Sequence, residues 1–476
     1  MVFAPGTFPM NTPTDVSRRN FLRNSTGIAA GIMAASSSIS SASPARPAQA
    51  KYMGDFAAPK IDTVRIAMIG VGARGSGHTK RLANIEGTEI VAICDLYEDY
   101  VMRAKGFCDE VGQGKRHANV KLYHGQENHW KKMLREVRPD MVLIATPWKD
   151  HAPMAIEAMK QGAHAFVEVP LGLTNKELWD IVDTSEKTGK HCMMMENVNY
   201  GRVELLYLNL CRKGIIGDLL HGEAAYIHEL RFQMEQVERG TGSWRTYHYA
   251  NRNGNLYPTH GLGPVAQYMN LGRGDDNFGS LVSYSSPAAG RALYAEKNYP
   301  ADHQWNQLAY AGGDMNTSII KTTMGRTVMV QWDETSPRPY DRLNLIQGTK
   351  GALASFPTRV ALEGGVPGAT KDHHKWAQGE ALEAFMAEHD HPLYKRMGEL
   401  ATRMGGHGGM DFLMAYRMID CLRKGEPIDQ NVYEGAFWSA VSELSETSVA
   451  QGGAPQQFPD FTRGNWKSTQ PLGIVS

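Results

Sequence analysis

The chain has 476 residues, 42% of them hydrophobic and 21% charged, the proportions of a globular protein long enough for two cores. Lys plus Arg and Asp plus Glu both number 50, so no net field favours nucleic acid or an anionic membrane surface. Beyond residue 50 nothing approaches the roughly 18 consecutive apolar residues of a membrane span, so no stable membrane anchor is expected in the mature protein.

The first fifty residues are different in kind. "SRRNFLRNSTGIAAGIMAASSSISS" puts Arg18 and Arg19 ahead of a short apolar run, and "ASPARPAQA" follows with Ala48 and Ala50 flanking Gln49. Charge, apolar run and small-residue cleavage site, in that order, predict an export signal over 1–50. The paired arginines followed by Asn20, Phe21 and Leu22 resemble a twin-arginine signal. That resemblance implies the twin-arginine export machinery as a partner and a periplasmic or extracellular destination. The five cysteines are odd in number and lack C-x-x-C spacing. They are expected to be buried thiols, as suits a chain folded before export.

Val64 to Ile69 reads as a β-branched strand ending in Gly70-Val71-Gly72-Ala73-Arg74-Gly75, with a helix-compatible stretch over 76–84. A second strand, Glu89 to Cys94, ends in Asp95, twenty positions after the last glycine. A G-x-G-x-x-G pattern alone is weak; following a strand, opening a helix and preceding an acidic residue at this distance, it predicts a dinucleotide fingerprint. The glycines let the backbone approach a pyrophosphate held at a helix N-terminus. Asp95 would accept from ribose hydroxyls and repel a 2′-phosphate, so NAD is favoured over NADP.

Strands at 141–145 and 164–168 and one ending near Asn197, with a helix over 153–161, extend the alternation into a doubly wound parallel sheet, the Rossmann arrangement, over 61–198. Ligands bind beyond the C-terminal ends of such strands. That places Trp148, His151, Glu168 and Asn197 on the cofactor side.

From about Leu219 the texture changes to alternating runs such as "GEAAYIHELRF", "GSLVSYSS", "NTSIIKTTMGRTVMVQWDET" and "RLNLIQGTKGALASF", with turns expected at Gly325 and Gly351. Helical periodicity returns over 411–423 and 434–451. A domain with an open, mainly antiparallel sheet is predicted over 199–455, with a tail over 456–476. The pair His373 and His374 has no complementary ligand spacing, so it reads as a solvated loop and no metal site is expected. His407 and Asp411 sit in a glycine-rich turn where Asp411 could cap a helix.

A Rossmann half followed by an open sheet is similar to the oxidoreductase superfamily of glucose–fructose oxidoreductase and inositol dehydrogenase. That superfamily normally carries Glu-Lys-Pro where this chain has Glu168-Val169-Pro170. Valine cannot exchange a proton, so the usual acid/base of hydride transfer is missing. The block "GSWRTYHYANRNGNLYPTHGLGPV", with "AAYIHELR", "SPRPYDR" and "GGHGGMD", resembles glycoside hydrolase family 109 over most of the mature chain. The Glu-Val-Pro turn and the export signal fit that family too.

The resemblance implies an NAD-dependent α-N-acetylgalactosaminidase-like exo-glycosidase working on a small-molecule glycoside. Cleavage then runs through transient oxidation at C3 of the sugar, deprotonation at C2, elimination, water addition and re-reduction, without the two flanking carboxylates of ordinary glycosidases. It implies cofactor contacts at Gly70, Gly72, Ala73, Arg74, Gly75, Asp95, Trp148, His151, Glu168, Val169 and Asn197. Substrate contacts are implied at Tyr226, Arg245, Tyr257, Pro258, Thr259, His260 and Tyr340. His260, whose imidazole exchanges protons near neutrality, is expected to serve C3 or the leaving group. Tyr226 is the expected C2 base, provided a nearby cation lowers its pKa. Arg245 is expected to hold the sugar by forked hydrogen bonds. Two other functions stay open at this point: an exported sugar oxidoreductase, and a non-catalytic sugar-binding protein that keeps NAD. A homo-oligomer is compatible with each.

Overall fold

The computed structural model describes residues 43–111 and 115–473. The paired arginines and the apolar run of the export signal lie outside the described residues. Six parallel strands form the first sheet: β1 (Val64–Ile69), β2 (Thr88–Cys94), β3 (Lys121–Tyr123), β4 (Met141–Ile144), β5 (His164–Val167) and β6 (Cys192–Met194), in the order β3-β2-β1-β4-β5-β6. They alternate with helices α1 (Ala73–Asn84), α2 (Glu98–Glu110), α3 (His129–Val137), α4 (Trp148–Lys160) and α5 (Asn175–Thr188). This is the doubly wound Rossmann arrangement expected from the sequence.

Local chemistry sets both ends of α5. Thr174 and Glu177 close a capping box at the start of α5, and Gly189 ends it in the left-handed conformation. Helix α4 departs from expectation, starting at Trp148 rather than Pro153. Pro153 removes only the bond to the carbonyl of Lys149, an exposed residue in the first turn, so the helix tolerates it.

After α6 (Arg202–Arg212) come β7 (Leu219–Ile227), α7 (Thr241–Asn251), α8 (Thr259–Tyr268), β8 (Phe278–Ser285), α9 (Gly290–Asn298), β9 (Asn316–Thr322), β10 (Thr327–Asp333), β11 (Leu345–Gly348), β12 (Gly351–Ala354), β13 (Arg359–Leu362) and β14 (Ala377–Gln378). Helices α10 (Glu380–His389), α11 (Pro392–Met404), α12 (Met410–Lys424) and α13 (Val432–Ala450) follow, then β15 (Gln456–Gln457). The second sheet runs β14-β13-β12-β11-β7-β10-β9-β8-β15, antiparallel except where β7 meets β10. Gly325 does turn the chain between β9 and β10. Gly351 instead pairs with Gly348, so the β11–β12 turn falls on Thr349 and Lys350.

In β1, Val64, Ile66 and Met68 face one core while Ala67 and Ile69 face another, the two-residue alternation of a strand buried on both sides. The first core is completed by Phe412, Leu413, Met418 and Leu422 of α12. The second runs without a break into Ala224, Val328, Val330 and Trp332 of the second sheet, through α8 and α13. Two chain halves therefore share their cores, and β15 draws residues of the expected tail onto the sheet edge. All five cysteines are free thiols, four of them buried. No helix of the described residues is long and apolar enough to cross a membrane.

Candidate active site

The glycine loop forms a cradle that only glycine permits. A Cβ on Gly75 would lie 1.8 Å from the carbonyl oxygen of Gly70, which itself has φ of +78°. Helix α1 then opens at Gly72 with no side chain capping its first amides, leaving them to an anionic ligand. Asp95, at the end of β2, accepts from the backbone N–H groups of Val71 (2.7 Å) and Tyr97 (3.0 Å), and burial pushes its pKa up. Further along the strand ends, the buried Asn197 has an Oδ1 without a partner. These residues fit a dinucleotide.

Beside the cradle lies a buried ion network. Glu168 accepts from His78 Nε2 (2.6 Å) and from Arg74 (3.0–3.1 Å). Asp411 accepts from Arg74 and Arg81 (3.1 Å each), Asn197 Nδ2 (2.6 Å) and His407 Nδ1 (2.9 Å). Asp411 therefore pairs charges rather than capping α12, whose N-cap is Gly409. Burial alone would raise both carboxyls, but Arg74 with His78, and His407 with Arg74, outweigh it and hold them far below the ordinary range.

The sign of the linkage follows. Depressed carboxyls contribute stability that is complete above the unfolded carboxylate range, about 3.9–4.3, and is lost as pH falls through their folded values. Buried histidines such as His164 and His191, whose pKa burial lowers, should already erode urea midpoints below about pH 6.5, and the two carboxyls should steepen the fall below about pH 4. A midpoint that rises on acidification would contradict the pairing.

Across from this network, β7, α7 and the start of α8 bring aromatic rings together. Ring centroids of Tyr226 and Tyr257 are 4.9 Å apart, Tyr226 and His260 5.1 Å, and Tyr257 and His260 4.9 Å. Trp148, from the Rossmann half, stacks on Tyr257 at 5.8 Å, so the two halves meet at these residues. His260 lies in the first turn of α8, not in a loop, because the helix begins at Thr259 and runs through Pro264. Its Nδ1 is 2.6 Å from Glu196 Oε1. Pro258 is the N-cap of this helix, and the Oγ1 of the buried Thr259 is unpartnered. Tyr340, 40% exposed, accepts from Arg342 Nη1 at 2.7 Å.

Two expectations need correction. The cation required to make Tyr226 a ready base does not prevail: burial and then Glu334 raise its pKa well above the ordinary value, and Arg245 offsets them only in part. Tyr226 Oη instead lies 2.9 Å from His228 Nδ1, whose own pKa burial lowers. Arg245 makes no hydrogen bond through its fork among the described residues. Its guanidinium sits over Trp148, Trp244 and Tyr257 at 4.9–5.4 Å, 3.9 Å from the buried Glu334. His151 is fully buried, with Nδ1 2.7 Å from the carbonyl of Pro170 and Nε2 2.9 Å from that of Thr146. It holds the Glu168-Val169-Pro170 turn, and its nitrogens are not presented to a ligand.

His78, Arg81, Glu196, His228 and Glu334 belong to this site and were not read from the sequence as site residues. Two signals were available. Arg74, His78 and Arg81 share one helix face by the i, i+4, i+7 rule, and His228 shares a strand face with Tyr226. Nothing in the sequence marks Glu334, which reaches the site only through the packing of β10 against β7.

Comparison with known proteins accords with this geometry. Residues 64–196 match the model of the oxidoreductase family, NAD-binding Rossmann fold, and residues 200–468 that of glycosyl hydrolase 109, C-terminal domain. A glycosyl hydrolase family 109 protein of Akkermansia muciniphila is 65% identical over 91% of this chain and 89% of its own length. One of Shewanella pealeana is 54% identical over 97% of this chain and 99% of its own. Among solved structures, a levoglucosan dehydrogenase in complex with NADH and levoglucosan shares the fold at 17% identity, with a TM-score of 0.62 over 84% of this chain and all of that one.

Proposed function

The chain belongs to glycosyl hydrolase family 109 and binds NAD through its Rossmann half, and on that premise we propose that it is an exo-glycosidase for N-acetyl-α-galactosaminides. The observation that carries the reading is a convergence. Tyr226, Tyr257 and His260 meet next to the cofactor side of the sheet, in a site whose strand end offers Val169 where a lysine would serve hydride transfer alone.

When bound at the glycine cradle and Asp95, NAD would supply reversible hydride chemistry at C3 of the sugar. The protein must move the protons. His260 is placed to take the C3 hydroxyl proton, since Nδ1 is held by Glu196 and the other ring nitrogen is left to the site. Once C3 is a ketone, the C2 proton becomes acidic. Tyr226, raised by burial, cannot wait as a phenolate. It can accept the C2 proton only as it passes its own to His228, 2.9 Å away. Loss of that proton expels the C1 oxygen, water adds across the C1–C2 double bond, and the balance is one water consumed with no net redox change.

Arg245 contributes a fixed positive charge beside Tyr226 and Tyr257, backed by Glu334. Tyr340 offers an exposed ring and hydroxyl to the sugar's outer side. We place the protein outside the cytoplasm on the strength of Arg18-Arg19 and the apolar run behind them.

The route is tested by hydrolysing an aryl N-acetyl-α-galactosaminide in deuterated water with NAD-loaded enzyme. Deuterium should appear at C2 of the released sugar, because the C2 proton leaves and returns. Product without it would reject elimination. Stoichiometric accumulation of reduced cofactor with an oxidised sugar would instead establish a simple oxidoreductase.

A further inference from the structure

Two buried histidines of this protein are held by backbone carbonyls: His117 by Ala83 and His151 by Pro170. His78 is held by a carboxylate that Arg74 also pairs, whereas among the described residues no arginine or lysine pairs the carboxylate that holds His260. That carboxylate is Glu196, with no solvent exposure, at 2.6 Å. The same oxygen accepts from the backbone N–H of Val198 at 3.1 Å, and the Glu196 carbonyl accepts from Gln430 Nε2 at 2.9 Å. Helix α8 closes over the side chain, since a Cβ on Gly263 would lie 2.9 Å from Glu196 Cγ. The second carboxylate oxygen, Oε2, is buried without a partner.

A buried carboxylate with one orphaned oxygen is a costly way to anchor a ring when a carbonyl would suffice. What a carboxylate adds is chemical. It accepts only, so the imidazole nitrogen facing it carries the proton, and it stabilises the imidazolium formed when the far nitrogen gains one. Among the described residues Nε2 of His260 has no hydrogen-bond partner, and the ring keeps 14% exposure between Tyr226 and Tyr257.

We propose that Glu196 is a positioning residue: it fixes His260 as the Nδ1–H tautomer and aims the Nε2 lone pair at the substrate. Glu196 acts through His260 and touches no reacting atom. The proton His260 then accepts is the one assigned above, so this inference rests on the glycosidase reading for its reaction but not for its geometry.

The experiment uses NAD-loaded enzyme labelled with ¹⁵N-histidine, with His260 assigned from the signal missing in His260→Gln. Wild type should show His260 protonated at Nδ1. Glu196→Gln, whose amide can donate to Nδ1, should shift it toward the Nε2–H form and lower kcat by about 10²–10⁴-fold with little change in KM. Glu196→Asp, which keeps the charge, should retain the Nδ1–H signal and lose less activity than Glu196→Gln. An Nε2–H tautomer in wild type, or a Glu196→Gln kcat within about threefold of wild type, overturns the proposal. Should Glu196→Gln fail to fold, the wild-type tautomer and Glu196→Asp still decide it. Wild-type enzyme that hydrolyses no glycoside would sink the functional reading alone, because the tautomer is measured without turnover.

Discussion

Replacing His260 with alanine is expected to lower turnover by about 10²–10⁴-fold while leaving NAD bound, because the position supplies a proton acceptor and no described cofactor contact. The same change exposes a second effect. Glu196 would lose its hydrogen-bond donor while still fully buried, and leaving a buried acceptor unpartnered costs about 1–3 kcal/mol. Alanine therefore confounds chemistry with stability. Glutamine separates them, since its amide can still donate to Glu196. Both variants should lose turnover, and only His260→Ala should unfold markedly earlier in urea. Measured together with NAD content by absorbance, a His260→Gln enzyme of wild-type turnover would make His260 structural.

Gly261→Ala should also be severe, for a reason that reverses the usual rule. In a helix interior alanine is preferred to glycine by about 1 kcal/mol. Here a Cβ would lie 2.3 Å from the backbone nitrogen of Ala225 and 2.6 Å from its oxygen. Those atoms belong to β7 and cannot swing aside as a side-chain tip can, so α8 must lift off the strand. Overpacking of this kind costs about 1–3 kcal/mol, more than the propensity gained. The lift would also separate His260 on α8 from Tyr226 on β7, whose rings now sit 5.1 Å apart. A misplacement of about 1 Å at a reacting group can cost about 10²-fold in rate. A Gly261→Ala protein matching wild type in urea midpoint and in kcat would show that the close approach of α8 and β7 is not needed.

The two substitutions bear on one architectural fact. Helix α8 is pressed against β7 at Gly261, and this contact, more than the segment Tyr257-Pro258-Thr259, brings the rings of Tyr226 and His260 together. The Rossmann half completes the arrangement through Trp148, which stacks on Tyr257. Glu168 and Asp411, locked to Arg74, His78 and Arg81, form a rigid charged floor on the cofactor side.

The reading of His260 shows how far local pattern carries. Sequence marks it as a histidine before glycine near an apolar stretch, which is equally the signature of a satisfied structural residue. Its partner Glu196 lies 64 residues away and stands next to Asn197, which strand-end reasoning had already brought to the cofactor side. Tyr226 was legible as a strand-end aromatic, but its ionisation was not. That depends on burial and on Glu334, contributed by the segment just after β10. That three rings surround the Arg245 guanidinium was not legible in the sequence.

The sequence by itself determined the elements and their class. The strand–glycine loop–helix–strand–Asp95 order specifies a Rossmann half, because each part is a local rule of backbone conformation or two-residue periodicity. It also determined the absence of a lysine at Val169 and the family block around His260. Tertiary structure alone decided the ionisation of Tyr226 and the partner of His260. A pKa or a tautomer depends on burial and on partners distant in the chain, such as Glu196 for His260 and His228 with Glu334 for Tyr226. Those distances close only when α8 settles on β7.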